Sequence, residues 1–395
     1  MSHTDVVVIG GGLAGLAAAW WLSPDHQVLV LEQGEALGAE ASSQNAGMVR
    51  RLGEDPHERA LALRTHDFLA APPGDMGSLA TRTGAVVALA HDPHHLHDAV
   101  AHLRAAGVNI QALNHPADVA PALAGARLSA CWYDEAALVA DVHAIITGLK
   151  RGIIQRGGAV RCGVQVSGLR LEHGRVTGVD TDQGPLTADR VVLAAGAWSG
   201  ALATQAGLWR PLIPLRRTLL FAEEAELSRP EHPWCWVDDV GIYVRPEAGG
   251  WLVSGCDEAV AAPPSGPGSR GAVEDIHRAL AQDKLERHIP ALAGLRLSRG
   301  WTGLRTFAPD RAPVLGEDPD LSGLWWMAGL GGFGVTCGIA AAEAVATWMR
   351  GQPTPWLDAA GVSPGRSWLR RWPIRPTGDQ ARARLITTPG GAGRT

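Results

Sequence analysis

Asp5-Val6-Val7-Val8-Ile9-Gly10-Gly11-Gly12-Leu13-Ala14-Gly15 begins four residues into the chain and decides its fold class. Val6 to Ile9 are apolar and β-branched, the pattern of a strand buried on both faces of a parallel sheet. The next six residues form a G-x-G-x-x-G turn. Gly10 permits the tight turn, Gly12 lets backbone approach a pyrophosphate, and Gly15 lets helix and strand pack closely. An Ala-rich helix is expected over 16–22. Its free N–H groups and positive dipole end, with Leu13 and Ala14 at the turn, suit phosphates. A second apolar strand, 27–31, ends in Glu32, followed by Gln33. An acid there accepts hydrogen bonds from a ribose 2′-OH and disfavours a 2′-phosphate, hence NADP. Strand, turn, helix, strand and acid in register imply a dinucleotide site.

Working outward, the chain of 395 residues is long enough for two lobes with large cores. A net charge of −5 gives no nucleic-acid footprint. The five cysteines are scattered with no C-x-x-C, which argues against a disulfide framework or a zinc site. No basic leader and no long apolar run are apparent, so a cytoplasmic protein without a membrane span is expected. A histidine group (His91, His94, His95, His97, His102) lacks partners at metal spacing, and no metal is expected.

Further elements follow from pattern. Asp55-Pro56 starts a helix to about residue 70, with Asp as N-cap and Pro at the first helical position. A strand is expected over 83–90, a helix over 92–106 and a long helical pattern over 134–156. Strands 159–171 and 175–181 would form a small sheet. Residues 189–196 form a second apolar strand ending in Gly, a return to the nucleotide sheet. Strands 211–222, 241–246 and 251–255 would build another sheet, with a helix at 273–288. A third apolar strand, 324–328, precedes a Gly-rich turn and a helix to about 349.

These features resemble the D-amino-acid oxidase/dehydrogenase superfamily of flavoenzymes, nearest to its D-arginine dehydrogenase branch. The resemblance rests on the N-terminal fingerprint and on Ser42-Ser43-Gln44-Asn45-Ala46-Gly47, with Met48 after it. It is extended by Val192-Leu193-Ala194-Ala195-Gly196-Ala197-Trp198, Leu215-Arg216-Arg217, Tyr243-Val244-Arg245-Pro246, Gly303-Leu304-Arg305 and Gly331-Gly332-Phe333-Gly334-Val335-Thr336. It implies an α/β fold: a glutathione-reductase-like, FAD-binding Rossmann domain with an inserted, mainly antiparallel β-sheet substrate domain. The expected division is cofactor domain at 1–85, 141–210 and 301–350, substrate domain at 86–140 and 211–300, and a partly disordered tail at 351–395.

The resemblance also implies site roles. The loop 42–48, Val166 (beside the adenine), Gly196, Trp198 and the turn 331–336 would hold FAD. Ser43 and Asn45 offer polar contacts. A helix opening at Gly331-Gly332-Phe333-Gly334 would place positive dipole at the flavin pyrimidine. Positions 44 and 45 are Gln and Asn rather than His, and Cys337 reads as packing, so the FAD is expected to be non-covalent. Arg217 (with Arg216 as an alternative) and Arg305 would bind a carboxylate, an arrangement Arg suits by its bidentate fork. Tyr243 would contact substrate and Gly332 would sit at the reacting ring.

Departures from the branch shape the substrate expectation. Met48 and Gly53 replace polar residues, the segment 84–88 carries no acid, and Arg50 and Arg51 would add positive charge. A neutral side chain is therefore expected, apolar given Trp234 and Trp236. Neither Lys150 nor Lys284 falls in a motif, which leans towards a dehydrogenase. The expected reaction is oxidative deamination of an amino acid, the D enantiomer, by hydride transfer from Cα to flavin N5. Its partners would be an amino-acid or amine substrate and an electron acceptor (quinone, dye or O2). Alternatives are a glycine/sarcosine-type oxidase, a tailoring enzyme for a larger amine, and a non-catalytic FAD-binding subunit.

Overall fold

A computed structural model describes residues 3–366 and 369, apart from 93, 95, 224–226 and 248. The expected disorder past about 375 lies outside the described residues. Two sheets divide the chain. The first places five parallel strands in the spatial order Ala159–Arg161, Val28–Leu31, His3–Ile9, Gly184–Leu193, Leu324–Ala328. Val314–Glu317 closes one edge antiparallel to Leu324–Ala328. The strands Val166–Glu172 and Arg175–Thr181, expected as a separate small sheet, continue this one through the first half of Gly184–Leu193. The apolar runs mark these strands for the interior because helices cover the sheet. Leu13–Leu22, Val142–Gln155 and Gly334–Met349 share a core with Val6, Val8, Val30 and Val192.

The second sheet has nine strands and is antiparallel except where Trp234–Val237 runs parallel to Ala85–Leu89. Its long pair is Ile213–Ala222 with Arg299–Phe307, in continuous register from Ile213↔Phe307 to Phe221↔Arg299. The last strand was expected to begin the final cofactor segment at 301. It belongs instead to the second sheet, since a strand needs a ladder partner and Ile213–Ala222 supplies one.

The helical pattern expected over 134–156 also resolves differently. Ala130–Asp134 and Leu138–Ala140 are strands, and the helix is Val142–Gln155, with Asp141 capping the Ala144 N–H. A strand end followed by a helix gave one continuous apolar signal. The start of the tail is also ordered: Ala359–Val362 is helical, and Arg366 grips Asp310 at 2.6 and 2.8 Å. Among the described residues, the segment Gly331–Met349 is long and apolar enough to cross a membrane, although no such run was expected. About two-thirds of its apolar window is buried, and it packs against Leu13–Leu22 and Pro56–Ala70.

Candidate active site

A cavity of about 570 Å³ opens at the carboxyl ends of the parallel strands, where Ile9, Leu31, Ala194 and Met327 line it. That is the expected ligand position in an open parallel sheet. Its first wall is glycine. Gly10 has φ +111°, and an added Cβ at Gly15 would overlap the Gly10 carbonyl oxygen. Gly15 is therefore a packing residue and is not on the lining. Gly12, Leu13 and Ala14 do line the cavity at the N-terminus of Leu13–Leu22. Glu32 accepts from the Gly11 N–H at 2.7 Å and from the Gly34 N–H at 2.8 Å, which fixes the carboxylate at the cavity edge beside Gln33. The Ser42 hydroxyl accepts from the Leu13 N–H at 2.9 Å and so pins the loop 42–48 over the helix end. Val166, Gly196, Trp198, Gly331, Gly332, Gly334 and Val335 complete the expected set on this lining, with Gln44 and Asn45.

A second cavity, about 580 Å³, meets the first where both are lined by Asn45, Arg217, Arg305, Leu330, Gly332 and Val335. Register explains the two arginines. Leu215 lies opposite Arg305, and Arg217 opposite Gly303, so Arg217 and Arg305 project from one face as diagonal neighbours. Arg216 points from the other face to Glu274 at 2.5 Å, which removes it as the alternative carboxylate ligand. Gly303 has a reason of its own: a Cβ there would overlap the Gln44 side chain. Arg305 passes beneath Gly332, whose added Cβ would stand 3.4 Å from Arg305 Cδ. Tyr243 and Trp236 are paired residues on adjacent strands, with ring centroids 5.0 Å apart.

The charges at this junction are unequal. Arg217 donates to Glu258 at 2.9 Å, and Glu258 also holds Arg311 at 2.6 Å. Burial works against the Arg217 charge, but Cys256, Tyr243, Glu258 and Asp257 outweigh it and raise the guanidinium above its ordinary range. No carboxylate among the described residues pairs with Arg305. Burial first, then repulsion from Arg217, hold Arg305 below its ordinary value. The Tyr243 hydroxyl lies near enough to bias Arg305, yet it is buried and has no partner of good hydrogen-bond geometry. Gln44 Oε1 and Arg217 Nε are likewise buried without partners. A guanidinium without its anion and orphaned polar atoms around it are the marks of a site that takes a polar ligand.

The far wall of the second cavity holds residues the sequence placed wrongly or not at all. Arg50 and Arg51 bring no free positive charge. Arg50 donates to Asp238 at 2.8 Å and to Glu58 at 3.1 Å, and Arg51 donates to buried Asp134 at 2.9 Å. Gly53 leaves the room this pair needs, because a Cβ would stand 2.8 Å from Glu58 Oε1. The acid-free stretch Ala85–Leu89 is fully buried between two strands and lines neither cavity. Trp234 is core, and only Trp236 reaches the lining. Ala46, Gly47, Met48, Phe333 and Thr336, expected at the cofactor, line the second cavity, next to the residues shared with the first. The Ser43 hydroxyl turns to the carbonyls of Ala39 and Glu40 and lines neither cavity, and Asn45 bonds within its own loop to Ser42 and Gly47. Lys284 does reach the substrate sheet: its Nζ donates to Gly241 at 2.9 Å and Gly255 at 2.7 Å. It lines neither cavity.

Other lining residues had no local signal. Pro263 to Ser265 and Ser269 come from a Pro/Gly loop of the substrate lobe. Glu40 pins that loop through the N–H of Gly268 at 2.6 Å and of Ser269 at 2.9 Å. Of the histidine group, His94 and His97 face each other at 3.3 Å beside the helix His97–Ala105, and neither lines either cavity.

A parallel sheet with a glycine-lined dinucleotide cavity, joined to an antiparallel sheet bearing an uncompensated arginine, defines a flavin-type oxidoreductase. The chain belongs to the DAO family of FAD-dependent oxidoreductases, whose family model matches residues 5–348. It is similar to a glycine oxidase of Pseudomonas putida, 31% identical over 373 residues, covering 91% of this chain and 98% of that one. It is also similar to a D-amino acid dehydrogenase of Cereibacter sphaeroides, 30% identical over 53% of this chain and 47% of that one. Among solved structures, an L-proline dehydrogenase from P. horikoshii superposes with TM-score 0.81 at 20% identity, over 92% of this chain and 98% of that one. The glycine oxidase of Geobacillus kaustophilus gives 0.78 at 22% identity, over 92% and 98%. The protein is thus an FAD-dependent enzyme that oxidises amines or amino acids.

Proposed function

We propose that the substrate is an α-amino acid whose carboxylate is held by Arg305, and whose side chain, neutral in charge, extends into the second cavity. The observation that carries this reading is the Arg305 guanidinium, which faces the junction of the two cavities with no carboxylate partner. Arg217 keeps its own carboxylate, Glu258, and reinforces the positive field. Tyr243, whose buried hydroxyl lies beside Arg305, is the second polar contact. Arg50, Arg217 and Arg311 on this cavity are each held by carboxylates, so an anionic side chain finds no free cation there and pays its desolvation cost.

The residues present fit FAD. The glycine turn, the helix end, Glu32 and the 331–334 turn line one continuous cavity, and side chains at Gly12 or Gly331 would intrude on Ser42 and Phe307. Bound FAD supplies a hydride acceptor. The chain's own part is orientation: Arg305 and Tyr243 hold the α-carbon substituents at Gly332, and the apolar rings of Trp236, Phe307 and Phe333 limit water. We hold the FAD to be non-covalent, since Gln44 and Asn45 stand in the loop and the Cys337 thiol is 2% exposed, packed against the Glu58 carbonyl. The likeness to D-amino acid dehydrogenases favours the D enantiomer.

An anaerobic flavin-bleaching screen over D- and L-amino acids, glycine and sarcosine tests the reading. A mid-sized neutral D-amino acid should bleach best. Bleaching by simple amines without a carboxylate, as fast as by amino acids, overturns it. Acid precipitation should release yellow colour into the supernatant, and colour retained in the pellet refutes non-covalent binding.

A further inference from the structure

The far wall of the second cavity is built around one guanidinium and two carboxylates. Arg50 lies against two aromatic rings, with Cζ 4.4 Å from the Trp236 centroid and 4.7 Å from that of Phe333. One ring comes from the substrate sheet and the other from the turn before Gly334–Met349. Its Nη2 donates to Glu58 at 3.1 Å, and its Nη1 donates to Asp238 at 2.8 Å. All five side chains line the cavity. Arg50 is 7% exposed and Asp238 14%. Burial works against the Arg50 charge, yet the two carboxylates more than offset it and raise its affinity for the proton. Glu58 shows the other side of the balance: burial, with Asp55 and Asp238 adding to it, pushes its carboxyl up to about 7 despite Arg50.

A rigid guanidinium on a cavity wall is a ready second carboxylate site, because Arg binds carboxylates through a planar fork. Here two rings lie against the guanidinium, and Nη1 and Nη2 both already donate to carboxylates. We propose that Asp238 is a specificity-determining residue: by holding Nη1 of Arg50, it bars amino acids that carry a second carboxylate. An incoming side-chain carboxylate would meet the Asp238 carboxylate already on Nη1, with Glu58 occupying Nη2, a repulsive element set against a competing substrate class. Glu58 cannot do this alone, since it reaches Arg50 from Pro56–Ala70 at the other end of the fork. Asp238 follows directly on Trp234–Val237, the strand that carries Trp236, and so comes to the wall with the ring that clamps Arg50.

The inference rests on Arg305 taking the α-carboxylate, and its test separates the two. FAD-loaded wild type, Asp238→Asn, Asp238→Ser and Asp238→Glu are titrated calorimetrically with glutarate and with butyrate. Wild type and Asp238→Glu should bind glutarate no more tightly than butyrate. Asp238→Asn and Asp238→Ser should shift the glutarate-to-butyrate affinity ratio at least tenfold towards glutarate. In turnover, the kcat/KM ratio of glutamate to glutamine, in the enantiomer wild type oxidises, should rise at least tenfold through the KM for glutamate. Unchanged ratios, or no glutarate binding, in both the Asn and Ser variants overturn the proposal. A wild type that bleaches with no α-amino acid overturns the proposed function instead, and the titration still decides the role of Asp238.

Discussion

The two cavities that meet at Gly332 are built by different physics. The cofactor cavity is made of backbone: glycines without side chains, a helix end with free N–H groups, and a carboxylate fixed by two amides. The substrate cavity is lined by side chains, and of its arginines only Arg305 has no carboxylate partner among the described residues. A backbone cavity is insensitive to any one polar side chain and intolerant of added bulk. A side-chain cavity has the opposite sensitivities, because each pairing decides what net charge a ligand meets.

The largest effect should come from bulk packed behind the backbone that walls the cofactor cavity. Gly15→Val places atoms on the Gly10 carbonyl, and the purified protein should lose nearly all of its flavin, read from the 450 nm to 280 nm absorbance ratio. Retention of wild-type flavin would dissolve the distinction between the two cavities. Next, Arg305→Ala should cut kcat/KM by roughly two orders of magnitude or more, since truncating a dry, charge-assisted contact costs about 2–5 kcal/mol. Arg305→Lys should rescue it poorly. Arg217→Ala should cost clearly less, because its charge is already met by Glu258. Equal losses at both arginines would remove the asymmetry claimed for the junction.

Glu58 provides a test by pH. Its folded-state value is raised from 4.5 to about 7, so the fold favours its protonated form. Its contribution to stability is then fully present below about pH 4.5 and is lost as pH rises through about 7, for at most a few kcal/mol. The Tm difference between Glu58→Gln and wild type should therefore grow in the variant's favour from pH 5 to pH 8. A difference that is flat across that range would mean that Arg50 keeps Glu58 charged throughout. The smallest effect is expected at Arg216, half-exposed and paired with Glu274 on the far face. Arg216→Ala should change stability by no more than about 1 kcal/mol and leave kcat/KM within about twofold. A large loss of activity there would mean the register of Ile213–Ala222 against Arg299–Phe307 is wrong.

Where the sequence was read correctly, the signal was contiguous. The helix Pro56–Ala70 follows from Asp55 and Pro56, and Asp55 does cap the Glu58 N–H at 2.7 Å. The strand Leu324–Ala328 and the helix Gly334–Met349 follow from an apolar run and a Gly-rich turn. The readings that failed depended on partners. Residues 84–88 looked like a pocket lacking an acid, and they are core because Trp234–Val237 and Ala130–Asp134 flank them. Arg50 and Arg51 looked like free cations because Asp238 and Asp134, which hold them, lie 188 and 83 positions away.

By itself the sequence determined the strand, glycine turn and helix at 5–22, the terminal acid at Glu32 and hence the dinucleotide site, because hard-sphere limits on φ and ψ act within a few consecutive residues. It also picked out Arg305 as an arginine in apolar company. Only the tertiary structure decided that Arg216 turns away while Arg217 turns in, since strand register sets which face a side chain takes. Only the tertiary structure decided the charge of the substrate cavity, because an ion's effect depends on which distant counter-ion the fold brings within about 3 Å of it.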